Sequence, residues 1–163
     1  AIDGVTIMLN YKPGETTYDS TTGGGIAFTG VEGLNVGAAM EDNNTTDGAV
    51  VENSVFYATY AMDAFTVGFQ ANESDSQTAN SDTDFEAWGV SYAVSEDISI
   101  SYGSSTVEYE SGASKSDQEA DAIGISWTNG SMSVTASRHD IANVSGTSTD
   151  DRDVTEVNLT FAF

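Results

Sequence analysis

Three carboxylates on alternate residues, Asp82, Asp84 and Glu86, are the densest set of hard oxygen donors in the chain. Alternate side chains of an extended backbone share a face. All three are therefore expected together at the top of one strand, where they could hold Ca²⁺ or Mg²⁺. The spacing is not that of an EF-hand loop, and an acidic rim bathed in solvent is the plainer reading. Asp140, Asp150, Asp151 and Asp153 gather around a second loop in the same way. His139 is the one histidine and Asp140 follows it. An Asp–His pair beside Asp82-x-Asp84 could activate water, but adjacent residues of an extended chain point to opposite faces. A further set is Glu41, Glu86, Asp121 and Glu156, read as inward-facing carboxylates on four strands, with Lys12 the nearest inward cation. Carboxylates along a water-filled path concentrate cations.

Composition narrows the chemistry. The 163 residues carry 26 Asp and Glu against 4 Lys and Arg, a formal net charge of -22. Phosphate binding needs clustered Lys and Arg, so nucleic acid is excluded as a partner, and so is peripheral docking on anionic lipid. Cysteine is absent, which removes disulfides and thiolate chemistry. One proline and 16 glycines suit many strands joined by open turns. No apolar run is long enough for a membrane helix. A spanning strand, however, needs only about 9–11 residues with every second one apolar, and hydropathy hardly registers it. The start at Ala1 fits a processed, secreted chain or a fragment of a longer one.

The elements that must position these groups are strands. Val5, Ile7, Leu9 and Tyr11 alternate with polar residues up to Lys12-Pro13-Gly14. A second strand is read at 24–31, with Ile26 and Phe28 on one face. A third follows with Leu34, Val36, Ala38 and Met40, and a fourth with Phe56, Ala58, Tyr60 and Met62. Further strands carry Phe65, Val67 and Phe69; Trp88, Val90, Tyr92 and Val94; Ile98, Ile100 and Tyr102; Ile123, Ile125 and Trp127; Met132, Val134 and Ala136. The last, 153–163, puts Thr155, Val157, Leu159, Phe161 and Phe163 on one side. Asn129-Gly130 reads as the centre of a hairpin turn. The count is ten strands. Connections alternate between short turns and polar loops read as roughly eight to thirteen residues, such as 73–83 and 140–152. One face carries Phe, Tyr, Trp, Ile, Val and Leu, and the other Gly, Ala, Ser, Thr and Asn. A soluble sheet would turn Lys, Glu and Arg outward instead. Tyr11, Tyr60, Tyr92, Tyr102, Trp127, Phe161 and Phe163 sit where the apolar stretches end, the depth at which amphipathic rings favour a membrane interface.

The terminal Thr160-Phe-Ala-Phe163, the sorted loops and the aromatics together resemble a Gram-negative general diffusion porin, the acidic strands most like the alphaproteobacterial type. The resemblance implies an all-β fold: a transmembrane antiparallel up-and-down β-barrel of about ten strands in this chain, or the C-terminal part of a 16-stranded one. It places residues 1–163 in a single barrel domain of the bacterial outer membrane, against lipid and lipopolysaccharide, as a homotrimer. The implied activity is passive diffusion of ions and small hydrophilic solutes through a water-filled channel, weakly cation-selective, with no enzyme activity and no cofactor required. Ca²⁺ or Mg²⁺ at the acidic extracellular loops is the one metal expectation. Two alternatives remain at this point: a secreted acidic β-sandwich acting as an adhesin or surface-layer module, and an outer-membrane protease built on Asp82, Asp84 and His139. Detergent dependence separates the barrel from the sandwich: the barrel reading expects folded, monodisperse chain only in detergent or lipid, and native β-structure in plain buffer overturns it.

Overall fold

The computed structural model describes residues 2–14, 20–44, 50–110 and 115–162. Ten strands form one antiparallel sheet: β1 (Val5–Lys12), β2 (Thr21–Phe28), β3 (Leu34–Asn44), β4 (Val50–Met62), β5 (Phe65–Ser76), β6 (Thr83–Ala93), β7 (Ile98–Tyr109), β8 (Gln118–Asn129), β9 (Met132–Ala142) and β10 (Arg152–Phe161). Each strand pairs with its neighbours in sequence, in the order β1 to β10. A 3₁₀ turn, Val144–Gly146, precedes β10. Among the described residues no apolar side chain is buried, and large ones such as Leu9 (86% exposed) and Val157 (69%) lie open on the sheet surface. A sandwich would press two sheets over a shared core. Here there is one sheet and no such core, and the soluble-sandwich alternative is overturned.

The register keeps the two faces apart. Ile7, Ile26, Ala38, Phe56 and Ala71 are consecutive cross-strand partners, as are Tyr60, Val67, Val90, Tyr102 and Ile123. On the other face Thr59, Gly68, Gly89, Gly103, Ala122 and His139 form one unbroken row. Aromatic pairs knit the apolar face: Phe65 and Tyr92 lie 4.5 Å apart between ring centres, and Trp88 and Tyr102 5.5 Å.

The apolar band is inclined to the hydrogen-bond ladder. The partner row that starts at Ile7 on β1 continues through Ala71 on β5 and reaches Ala142 on β9. The apolar stretch of β9 is centred on Val134, eight positions nearer the short-turn end than Ala142. Eight strand steps therefore displace the band by eight residues. With about 3.3 Å per residue and about 4.8 Å per strand, the band cuts the strands at about 35° from the ladder direction. A level hydrophobic layer then requires strands tilted by about that angle, within the range of membrane β-barrels.

Strand boundaries differ from the sequence reading mainly on the loop side. The second strand spans Thr21–Phe28 rather than 24–31, because its chain turns at Val31-Glu32-Gly33 with a Leu34 N–H to Val31 carbonyl bond of 3.0 Å. The expected loop 73–83 shrinks to 77–82, and 140–152 to 143–151. Backbone pairing is indifferent to side-chain polarity, so β5, β6 and β9 continue into Ser, Thr, Asp and Glu. The loops are consequently shorter than expected, and 45–49 equals the 29–33 turn in length. In the last hairpin the central pair is Gly130-Ser131 rather than Asn129-Gly130, since Asn129 still pairs with Met132. Gly130 takes φ +57°, as the first central position of a II′ turn demands. Phe163 and the loop stretches 15–19, 45–49 and 111–114 lie outside the described residues.

The two faces make opposite forecasts for one substitution. Val90→Arg and Leu159→Arg, on the apolar face, are expected to lose about 2–4 kcal/mol of unfolding free energy in lipid, while Ala87→Arg and Asn158→Arg, on the polar face, stay within about 1 kcal/mol. Urea titration of the protein folded into vesicles measures this. Equal losses on both faces would contradict the two-sided sheet.

Candidate functional site

The polar face is a wall of small and hydroxyl side chains. Its centre is the row Gly68, Gly89 and Gly103, three directly opposed glycines. Thr66, Ser91, Ser101 and Ser137 border them, and together with His139 these residues line a shallow groove of about 440 Å³. Such a surface presents backbone and hydroxyl groups to water.

Few charges stand on this face. Lys12 lies opposite Thr21, near the loop end of β1. Glu41 lies opposite Gly23, across which the Asn10 side-chain amide donates to Glu41 Oε2 at 3.1 Å. Glu156 lies opposite Ser137. Arg152, which the sequence reading did not assign to the wall, has the same parity as Glu156 and donates to both carboxylate oxygens of Asp150, at 2.9 and 3.3 Å. His139 shares this face, with Nε2 3.0 Å from Ser137 Oγ.

Glu86 and Asp121 do not belong here. Glu86 pairs with Ala71 and Thr106, in the same row as Phe56 and Ile26, on the Trp88 and Val90 side of β6. Asp121 has the parity of Ile123 and Ile125, and accepts the Tyr102 hydroxyl at 2.7 Å on the apolar face. Both were expected inward, and both stand on the apolar side just beyond its band. The signal was in the sequence: counting back two residues from Trp88 or from Ile123 places each of them.

Asp121 is part of a larger arrangement. Asp42, Glu52 and Asp75 are consecutive partners; so are Glu73, Asp84 and Glu108; so are Asp121, Asp140 and Asp153. All nine share the parity of the apolar face at its loop end. Among the described residues Arg138 is the cation that joins them, donating from Nε and Nη2 to Asp140 Oδ1 at 3.1 and 2.9 Å, with Asp153 at 3.9 Å.

The metal expectation at Asp82, Asp84 and Glu86 is not met by the geometry. Asp82 precedes β6 and accepts the Ser76 backbone N–H at 2.7 Å. Among the described residues no group of three His, Cys, Asp or Glu side chains is placed to hold an ion. The water-activating arrangement also fails. His139 lies on the polar face and Asp140 on the apolar one, so they form no pair.

Two contacts at the loop end left no trace in sequence patterning. The Glu110 carboxyl lies above the ordinary carboxylate range, chiefly through a hydrogen bond with the Asp82 carboxyl, then through the Asp82 charge, with smaller contributions from desolvation and Asp75. The Glu110 N–H also bonds the Asp82 carbonyl at 2.9 Å. In the second contact, the Lys115 ammonium stands 4.5 Å from the centre of the Tyr109 ring.

The family model for Gram-negative porins matches residues 1–128. The chain belongs to the Gram-negative porin family. Its place is the bacterial outer membrane. No curated protein sequence matches it. Among solved structures it resembles an anion-selective porin from Comamonas acidovorans, with TM-score 0.73 and 14% identity over 88% of this chain. The chain spans 46% of that porin's length. At this identity the likeness establishes the fold, and the sheet described above is a segment of a porin barrel.

The hydrogen bond and charge of Asp82 raise the Glu110 carboxyl, so this contact at the porin's loop end is expected to respond to pH. A raised carboxyl pKa means that the folded state holds its proton more tightly than the unfolded chain does. The stabilisation is therefore full below the ordinary carboxylate pKa and is lost as pH rises through the raised value. The hydrogen-exchange protection of the Glu110 N–H, corrected for intrinsic rate, is expected to fall on raising pH from about 4 to about 7. Glu110→Gln should flatten that profile, and an unchanged profile in this variant would mean that the carboxyl pair does not govern the rim.

Proposed function

We propose that this porin segment forms part of the wall of a passive, water-filled channel for ions and small hydrophilic solutes. The observation that carries the reading is the sheet's two-sidedness. An apolar band inclined for about 35° of strand tilt backs onto a face of Gly, Ser and Thr. The channel acts without cofactor and without catalysis. It works as a homotrimer, against outer-membrane lipid and lipopolysaccharide, and its barrel is completed by strands beyond these ten.

The selectivity we infer is weak and cation-preferring. On the wall itself two carboxylates, Glu41 and Glu156, face two cations, Lys12 and Arg152, so the strands contribute almost no net sign. The preference arises instead at the loop-end mouth, where most of the chain's acidic residues lie. Exposed charges act over about 8 Å at physiological salt, so it fades as salt rises. The Comamonas porin is anion-selective by name. With only 14% identity between the chains, the shared fold does not carry that sign over to this one.

The test is conductance of the native protein in a planar bilayer under a KCl gradient. A stable open conductance with a small cation-directed zero-current potential, shrinking toward zero near 1 M salt, is expected. Glu156→Gln alone should move the potential slightly toward anions. No conductance at all overturns the channel reading, and a strong anion preference at low salt overturns the charge assignment.

A further inference from the structure

Among the described residues neither lysine at the loop end, Lys12 or Lys115, has a carboxylate within salt-bridge distance, and Lys115 is the one held by a cation–π contact. Arg138 is engaged by Asp140 and Arg152 by Asp150. Asp151 accepts the Asn143 backbone N–H at 3.0 Å. Among the described residues no carboxylate lies within salt-bridge distance of Lys115, while three other ion pairs form nearby.

Lys115 is nevertheless held in place. Its ammonium stands over the Tyr109 ring at 4.5 Å, inside the ~6 Å reach of a cation–π contact. Its stem lies flat on Gly146: a Cβ built there would meet Lys115 Cδ at 3.0 Å and Cβ at 3.1 Å. Gly146 also has φ +79°, which side chains with a Cβ rarely adopt. The segment beneath the lysine is built to stay put. Ser116 N–H bonds the Gly146 carbonyl at 3.0 Å, Gln118 Oε1 accepts the Ser145 N–H at 2.9 Å, and Asn143 Nδ2 donates to the Asp117 carbonyl at 2.9 Å. Two further residues there, Asn143 and Ser145, take positive φ of 54° and 56°, a conformation that these bonds maintain. Tyr109 and Gln118 both have the parity of the polar face, Tyr109 next to the Thr83 row and Gln118 in line with Ala120 and Ala122. The clamp thus fixes a positive charge on the path side of the wall.

We propose that Lys115, gripped between Tyr109 and Gly146, is a specificity-determining residue that admits small anions past an otherwise acidic mouth. The inference rests on the channel reading above and deepens it: the weak net cation preference is the balance between the rim carboxylates and this one fixed cation. A solute anion meets a positive point charge at a defined position, with no carboxylate among the described residues within salt-bridge distance of it.

The experiment is the zero-current potential of the full-length protein in a planar bilayer, in KCl gradients at low salt and near 1 M. Lys115→Gln is expected to raise the K⁺ over Cl⁻ permeability ratio about two-fold at low salt, the size of one unit charge acting at about 8 Å in water. The change should vanish near 1 M, where screening falls to about 3 Å. Lys115→Arg, which keeps charge and ring contact, should retain the original ratio. Tyr109→Leu, which frees the lysine without removing it, should give an intermediate value. A conducting Lys115→Gln channel with an unchanged ratio would falsify the proposal and leave the channel reading intact. Absence of conductance in the unaltered protein would instead remove the channel reading on which it rests.

Discussion

Backbone polarity in hydrocarbon is the constraint on which this structure depends. An N–H or C=O group without a partner in a bilayer costs several kcal/mol, and strands can satisfy theirs only through one another. The consequence is visible in the topology. Every strand pairs along nearly its whole length with the strand before and after it, and the order β1 to β10 has no crossover. A neighbour-by-neighbour meander is the simplest way for a chain to keep each new strand's backbone occupied as it is added. The outermost strands, β1 and β10, are each paired on one side within the described residues, and the same constraint demands a partner for their other edges in the membrane.

Pairing fixes register, and register fixes the faces. Because side chains alternate with a period of two, a one-residue slip would carry Trp88, Val90 and Tyr92 from lipid to water. The aromatic pairs help hold the register, Phe65 and Tyr92 as direct partners and Trp88 and Tyr102 as diagonal neighbours. The carboxylate rows work against it. Asp121, Asp140 and Asp153 are direct partners, and like charges placed opposite one another are unfavourable. They are tolerable because they stand beyond the apolar band, in water, where Coulomb repulsion at such distances is about 1 kcal/mol or less. The Tyr102 hydroxyl and Arg138 relieve part of it.

Much of this was legible in the sequence. The alternation of apolar and small residues gave the strand count, the two faces and the barrel class, because a period of two over many segments has few other causes. The loop-side boundaries were not legible: residues 73–76 look like loop by composition, yet their backbone continues the ladder. Glu41, Glu156 and Lys12 were placed on the polar face by parity, and the register agrees. Glu86 and Asp121 were given the wrong parity: each stands two residues before an apolar-face residue, Trp88 and Ile123, and shares that face. The Tyr109–Lys115–Gly146 clamp and the Asp82–Glu110 contact join residues through loop conformation, which has no period to read.

The misplacement has a general consequence for reading function from composition. A net charge of -22 suggests a strongly cation-selective path. Charge matters to a permeating ion only within about one Debye length of its route, about 8 Å at physiological salt. Nine of the carboxylates stand in rows on the apolar-face parity of the sheet, beyond its apolar band at the loop end. Others are already engaged, Asp150 with Arg152 and Asp82 with Ser76 and Glu110. What remains on the polar face of the strands is Glu41 and Glu156 against Lys12 and Arg152, which nearly cancel. Net charge and selectivity are therefore separate properties of this wall. The net charge belongs mostly to the loop end and the apolar-face parity, not to the polar face of the strands.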